Sequence, residues 1–132
     1  MDSRIWKAWL GAFITFFVID GIVNGVLMAS SYAESHVWRS DMGSLMWLFY
    51  AITLAGSFFF TWIYLIINRE TVVLPGWRYG LMIGIWLCLG KAFATYGMVD
   101  ISLTMAFQWF VYGVIEYTVA GMIVGKLATK KA

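Results

Sequence analysis

The sequence predicts an all-α membrane protein, a four-transmembrane-helix bundle with the N and C termini cytoplasmic, for three reasons. First, 62% of its 132 residues are hydrophobic and 12% are charged, whereas soluble domains carry about 25% charged residues. Second, four apolar runs are each long enough to cross a bilayer, which takes roughly 20 helical residues. Third, basic residues are concentrated on one side of these runs. The length allows a single transmembrane domain, residues 1–132.

The predicted spans follow the four apolar runs and cover residues 6–28, 44–68, 79–99 and 101–127. A backbone in lipid must satisfy its own hydrogen bonds, so we predict helices. The first run is predicted as a span rather than a signal peptide, because it exceeds the usual apolar region of roughly 7–15 residues and contains Asp20. Residues 29–43 are the one sizeable predicted loop. The third and fourth spans meet at Asp100, which predicts a tight antiparallel hairpin.

The orientation is predicted from the basic residues outside the spans. Arg39 lies alone on one side. The positive-inside rule assigns the richer side to the cytoplasm. That side carries seven basic residues: Arg4, Lys7, Arg69, Arg78, Lys126, Lys130 and Lys131.

Helix packing is predicted from glycines spaced four residues apart. Such pairs lie on one helix face and let another backbone approach closely. This GxxxG spacing indicates an interface within the chain or with a partner. The alternative is chance, because 13 glycines in apolar helices make such pairs common. The pairs are Gly21 with Gly25, Gly80 with Gly84, and Gly121 with Gly125.

The second run also carries a stripe of hydroxyl side chains at spacings of three and four residues, which share one helix face. We predict that this face points into the bundle, where the hydroxyls bond to neighbouring helices. The alternative is that the stripe lines a wet path. Its members are Tyr50, Thr53, Ser57, Thr61 and Tyr64.

Three charged residues inside the spans carry the most functional information: Asp20, Lys91 and Glu116. A charge near the bilayer centre costs roughly 2.5–3.5 kcal/mol, so such residues face the bundle interior and usually pair. Asp20 follows Trp6, and Lys91 follows Trp77, by the same 14 residues. Each then lies about 21 Å from one interface, and we predict that they can form an ion pair.

The predicted buried polar network extends beyond these charges. Asn24 follows Asp20 by one helical turn, and a stripe at i, i+4 and i+8 joins Gln108, Tyr112 and Glu116. Two acids and one base leave one surplus negative charge, and burial favours the protonated form of an unpaired acid. Three interpretations stay open: fixing helix register, a proton or ion pathway, and a binding site for a lipid, quinone or small cation.

The chain resembles a group of small uncharacterised bacterial four-helix membrane proteins. The residues that carry the resemblance are Asp20-Gly21, Asn24-Gly25-Val26-Leu27, Trp38-Arg39, Arg78-Tyr79-Gly80-Leu81, Gly84, Glu116 and Gly121. The resemblance implies a multi-pass protein of the bacterial inner membrane, without an assigned activity. Members of that group often have a histidine where this chain has Asn24. The replacement of histidine by asparagine argues against a metal or haem site at this position.

A second resemblance, to the small multidrug transporters, concerns architecture alone. They share the size and four spans, and Asp20 imitates their essential carboxylate in the first helix. Lys91 would oppose a cationic substrate, and Glu116 has no counterpart in that pattern.

Two functions are therefore expected from the sequence. The first is an accessory or structural subunit of a larger inner-membrane assembly, such as a bioenergetic complex, in contact with lipids and other membrane subunits. The alternative is a small homo-oligomeric proton-coupled transporter or channel using Asp20, Lys91 and Glu116. We expect no enzyme activity, cofactor, metal site or nucleic-acid partner, because His36 and Cys88 are single and the net charge is +2.

Overall fold

The computed structural model describes residues 3–128, and within them it is all-helical. Two of the helices widen into a π-helical turn, at Val23–Leu27 and at Gly90–Ala94, and a short 3₁₀ turn, Met42–Leu45, leads into a third. The α-helices are α1 (Ser3–Ile22), α2 (Ala29–Glu34), α3 (Met46–Ile67), α4 (Gly76–Leu89), α5 (Thr95–Met98) and α6 (Leu103–Ala128).

Four helical stretches are long and apolar enough to cross a membrane, which confirms that part of the predicted fold. They are span 1 (Ser3–Leu27), span 2 (Met42–Ile67), span 3 (Gly76–Met98) and span 4 (Leu103–Ala128). Four of their ends extend one to three residues beyond the predicted bounds, and the other four stop one or two residues short of them. The predicted loop 29–43 contains a helix, α2. Lys130 and Lys131, used for the orientation, lie outside the described residues.

Spans 3 and 4 form a close antiparallel hairpin, joined by residues 99–102. The Ile101 amide donates to the Val99 carbonyl across this turn, at 2.8 Å. A Cβ atom added at Gly80 would meet the Tyr117 carbonyl oxygen, and one added at Gly76 would meet the Gly121 carbonyl oxygen. The two backbones therefore touch along their length, as small-residue faces permit.

The glycines of span 1 have different surroundings. A Cβ atom added at Gly21 or at Gly25 would meet no atom of the described chain within 4 Å. The pair thus lies on an open face of span 1, whereas Gly84, Gly121 and Gly125 lie against the neighbouring helix of the hairpin.

Two clusters of buried residues hold the bundle together. The terminal core lies where α1 begins and α6 ends, and takes residues from all four spans: Ala8, Ala12, Phe16, Phe60, Tyr64, Tyr79, Ala120, Val124 and Ala128. The distal core lies at the opposite end, and its buried residues are Val23, Met28, Ala92, Ile101, Met105 and Ala106. Both the buried members and the partly buried neighbours of the distal core come from outside α3.

The first half of α3 is accordingly uncovered. Residues 46–56 are all exposed apart from Thr53, which is half-buried, whereas Ser57 and Thr61 are 1% exposed. Span 2 therefore packs at the terminal end and stands away from spans 3 and 4 at the distal end. This separation leaves a cleft between the helices.

The distal end is closed by hydrogen bonds around Tyr32 of α2. Its hydroxyl accepts from the Trp109 indole at 2.7 Å and donates to the Asn24 side-chain carbonyl at 2.6 Å. Burial raises the pKa of the Tyr32 hydroxyl more than the Trp109 hydrogen bond lowers it. The contribution of this hydroxyl to stability is therefore present below its ordinary pKa of 10.0 and lost as the pH rises through the raised value.

Tyr32→Phe is expected to destabilise the protein by about 0.5–1.5 kcal/mol, because the Asn24 and Trp109 groups lose their shared partner. The measurement is thermal unfolding in detergent at neutral pH. Tyr50→Phe, at a half-exposed ring of α3, is the matched control and should leave the melting temperature unchanged. An equal effect of the two variants would contradict the assigned role of Tyr32.

Candidate functional site

A cavity of about 210 Å³ lies between the terminal and distal cores and receives residues from all four spans. Its rim is accessible, because Ile52, Gly56, Leu87 and Lys91 are exposed. Both polar and apolar residues form the wall. The lining residues are Phe16, Asp20, Ile52, Thr53, Gly56, Ser57, Leu87, Cys88, Lys91, Gly113, Glu116 and Tyr117.

Aromatic rings close the cavity toward the terminal core. The Phe16 ring packs edge-on against Phe60 at 5.4 Å and against Tyr117 at 5.0 Å between ring centroids. The Tyr79 hydroxyl, 1% exposed as a residue, donates to the Phe60 carbonyl at 2.6 Å. This bond ties span 3 to span 2 beneath the cavity, so we call these four residues the aromatic floor.

The site contains two acidic side chains from different helices. Glu116, near the middle of α6, is 8% exposed, and Asp20, near the end of α1, is half-buried. Their carboxyl groups lie within hydrogen-bonding reach of each other. Because an ionised carboxylate can only accept hydrogen bonds, a bond between the two requires a proton on one of them. The arrangement is a carboxyl pair that can hold and release a proton.

Lys91 lines the same cavity but does not form the predicted ion pair. Across residues 3–128, Asp20 and Lys91 form no ion pair, so that expectation is wrong for the isolated chain. Two physical reasons account for this. Lys91 lies in the π-helical turn Gly90–Ala94, which widens the helix and rotates side chains away from α-helical positions. In addition, the Asp20 carboxyl faces Glu116.

The hydroxyl stripe of α3 divides between three environments. Thr53 and Ser57 line the cavity, and Ser57 accepts from the Trp9 indole at 3.1 Å while donating to the Leu54 carbonyl. Thr61 and Tyr64 are buried below, and Tyr50 is half-exposed. The stripe faces the bundle at its terminal end and the surface at its distal end.

Three residues of the predicted polar network lie away from the cavity. Asn24 is exposed and bonds to the Asp20 carbonyl of its own helix and to Tyr32. Tyr112 packs against the distal core. Gln108 is half-buried, on the same helix as Glu116 but outside the cavity lining. The structure thus brings together Asp20, Lys91 and Glu116 from the predicted set.

Metal-binding side chains are dispersed. Among residues 3–128, no three His, Cys, Asp or Glu side chains are grouped closely enough to hold a metal ion. His36 is exposed in the segment after α2. Cys88 is buried, and its thiol occupies the space beside Gly113, where an added Cβ atom would collide with it.

Comparison with known proteins leaves the family open. No family model, curated protein or solved structure matches the chain. The resemblance to small bacterial four-helix membrane proteins therefore stays a prediction, and function has to be argued from the cavity.

Sequence reasoning missed several features that shape this site. The π-helical turns follow Asp20 in span 1 and contain Lys91 in span 3. Gly76 extends the close approach of spans 3 and 4, and Gly113 makes room for Cys88. Gly25 and Gly90, one in each π-helical turn, are the available sequence signal, although glycine alone does not specify a widened turn.

Proposed function

We propose that the chain is a small proton-coupled transporter or channel of the bacterial inner membrane, and that it works as a homo-oligomer with cytoplasmic termini. The observation that carries this proposal is the Asp20–Glu116 carboxyl pair in a cavity at membrane depth. Ionisable groups within membrane spans are rare and costly, and they mark proton relays and ion pathways.

The chemistry of the pair supports proton exchange. Two carboxyl groups in contact cannot both ionise readily, so we expect them to share one proton. The shared proton sits between α1 and α6, so its transfer changes the interaction between two spans. A register-fixing role alone would not need the accessible cavity that the pair lines.

The surrounding helices also support movement at the site. One π-helical turn begins three residues after Asp20, and a second contains Lys91. Such turns within α-helices frequently occur at functional sites. The cavity is accessible at its rim and closed by the aromatic floor, which is the arrangement expected of one state in an alternating-access cycle. Parting the floor would open the terminal end.

Proton flux across vesicles tests this proposal. Purified protein is reconstituted with a trapped pH-sensitive dye, and the decay of an imposed pH gradient is recorded for the wild type, Glu116→Gln and protein-free vesicles. We expect wild-type flux above the protein-free level and loss of that excess in Glu116→Gln, which retains size and hydrogen bonding. Equal flux in the wild type and Glu116→Gln would refute the proposal.

The second candidate is an accessory subunit of a larger membrane assembly, such as a bioenergetic complex. The observation that favours it is the uncovered first half of α3, residues 46–56, together with the open Gly21–Gly25 face. Native mass spectrometry of protein extracted in mild detergent separates the two functions. Stoichiometric complexes with unrelated subunits favour the accessory role, whereas copies of this chain alone favour the transporter.

A further inference from the structure

Lys91 is the charged group of the cavity that the proton-exchange proposal does not use. Its side chain is exposed within span 3. Across residues 3–128, its ammonium group forms neither an ion pair nor a hydrogen bond, although two acids line the same cavity. An unpaired cation at this depth is costly. A ligand that brings a negative charge to Lys91 would remove that cost.

The charge count of the cavity constrains which ligand fits. With one proton shared, the Asp20–Glu116 pair carries one negative charge, Lys91 carries one positive charge, and the cavity is neutral. A cationic ligand would displace the proton and still leave Lys91 beside a like charge. A neutral acid brings both an anion and its proton. The total charge of the cavity then stays at zero, and the anion can pair with Lys91.

We propose that the cavity binds a monocarboxylic acid, whose carboxylate pairs with Lys91 and whose proton passes to the Asp20–Glu116 pair. In this step the O–H bond of the bound acid breaks, and a new O–H bond forms on the ionised carboxyl group of the pair. Nothing is oxidised or reduced, and the total charge is zero before and after. The inference rests on the proposed function and names its substrate class.

A carboxylic acid suits this exchange because donor and acceptor are chemically alike. Simple carboxyl groups in water release their protons at about pH 4, as aspartate and glutamate side chains do. Proton transfer between such groups is nearly balanced and can run in either direction. A phosphate monoester carries about −1.5 to −2 charges at neutral pH, more than Lys91 alone neutralises.

The size and walls of the cavity set the form of the acid. A volume of about 210 Å³ equals that of roughly seven water molecules at about 30 Å³ each, which is enough for a carboxyl group and a short aliphatic chain. The exposed side chains of Ile52 and Leu87 border the rim. A short acid would enter from water, whereas a longer one would enter from the bilayer with its chain in the cleft beside α3.

Solid-state NMR of reconstituted protein tests the inference through a distance. Protein with ¹⁵N-labelled lysine side chains is mixed with butyrate or decanoate carrying ¹³C at the carboxyl carbon, and dephasing of the ¹³C signal by ¹⁵N is measured. We expect dephasing in the wild type, its loss in Lys91→Gln, and its retention in the matched control Lys126→Gln. Lys126 is exposed in the last turns of α6.

Butyrate and decanoate distinguish the two sources from which the ligand could enter the cavity, water and the bilayer. Dephasing that depends on Lys91 with butyrate supports a water-borne acid, and with decanoate it supports a bilayer-borne one. If neither acid shows dephasing that depends on Lys91, the inference is overturned. Proton flux is measured on the same preparations, both without and with the added acid. Flux that requires Glu116 but no contact at Lys91 overturns the inference alone, whereas contact at Lys91 without such flux overturns the proposed function alone.

Discussion

Gly80→Ala is expected to destabilise the protein by about 1–3 kcal/mol or more, since overpacking typically costs that range. The added methyl group would collide with the Tyr117 carbonyl oxygen and with the Thr118 Cα atom, both backbone atoms of α6. Neither can move without separating spans 3 and 4. The measurement is thermal unfolding of the purified protein in detergent, followed by circular dichroism.

Gly21→Ala is the matched control for this substitution. It makes the same chemical change in a helix of the same protein, but the added methyl group meets no atom of the described chain within 4 Å. Alanine favours a helix over glycine by about 1 kcal/mol, so the control should unfold at an equal or higher temperature. A higher melting temperature for Gly80→Ala than for Gly21→Ala would contradict the packing of spans 3 and 4. Loss of stability at Gly21 instead would indicate a second helix on its face.

Asp20→Asn and Glu116→Gln are each expected to reduce proton flux to the level of protein-free vesicles, and the double variant should do no worse. Residues that act as one unit lose function together, so their effects are not additive. The measurement is the same vesicle flux assay, with folding checked by gel filtration. Both amides retain the shape of the acids, so we expect the variants to assemble normally.

Asp100→Asn serves as the control for these variants, because it removes an acid from the exposed turn between spans 3 and 4. We expect wild-type flux from it. If Asp20→Asn alone retains full flux while Glu116→Gln loses it, the two carboxyl groups do not act as a pair. If all three variants lose flux equally, the effect reports net charge rather than the cavity.

The fold was predictable from the sequence because lipid imposes strong constraints. A spanning backbone must be helical, and an apolar run must be long enough to cross, so four helical stretches followed from composition and length alone. The tight turn at Asp100 followed in the same way from the absence of a linker. The helix α2 in residues 29–43 did not follow, because it is short and is held by Tyr32 contacts from distant parts of the chain.

The site was only partly predictable. Burial cost alone singled out Asp20, Lys91 and Glu116, and the structure brings these three to one cavity. Their pairing was not predictable, because matching depths along ideal helices favoured Asp20 with Lys91. The angle around each helix decides contacts, and the π-helical turn at Gly90–Ala94 changes that angle for span 3. The sequence also predicted Asn24 as part of this network. Its side chain instead bonds to the Asp20 carbonyl of its own helix, and it lies outside the cavity lining.

Infrared spectroscopy of the reconstituted protein at neutral pH tests the shared proton most directly. The carbonyl stretch of a protonated carboxyl group is well separated from the carboxylate bands, and the acids Glu34, Asp41, Glu70 and Asp100 are exposed and lie outside the cavity lining. We predict a protonated-carboxyl band in the wild type that shifts in D₂O and is absent from the Asp20→Asn, Glu116→Gln double variant. A wild-type spectrum without this band, or a band that persists in the double variant, would contradict the carboxyl pair.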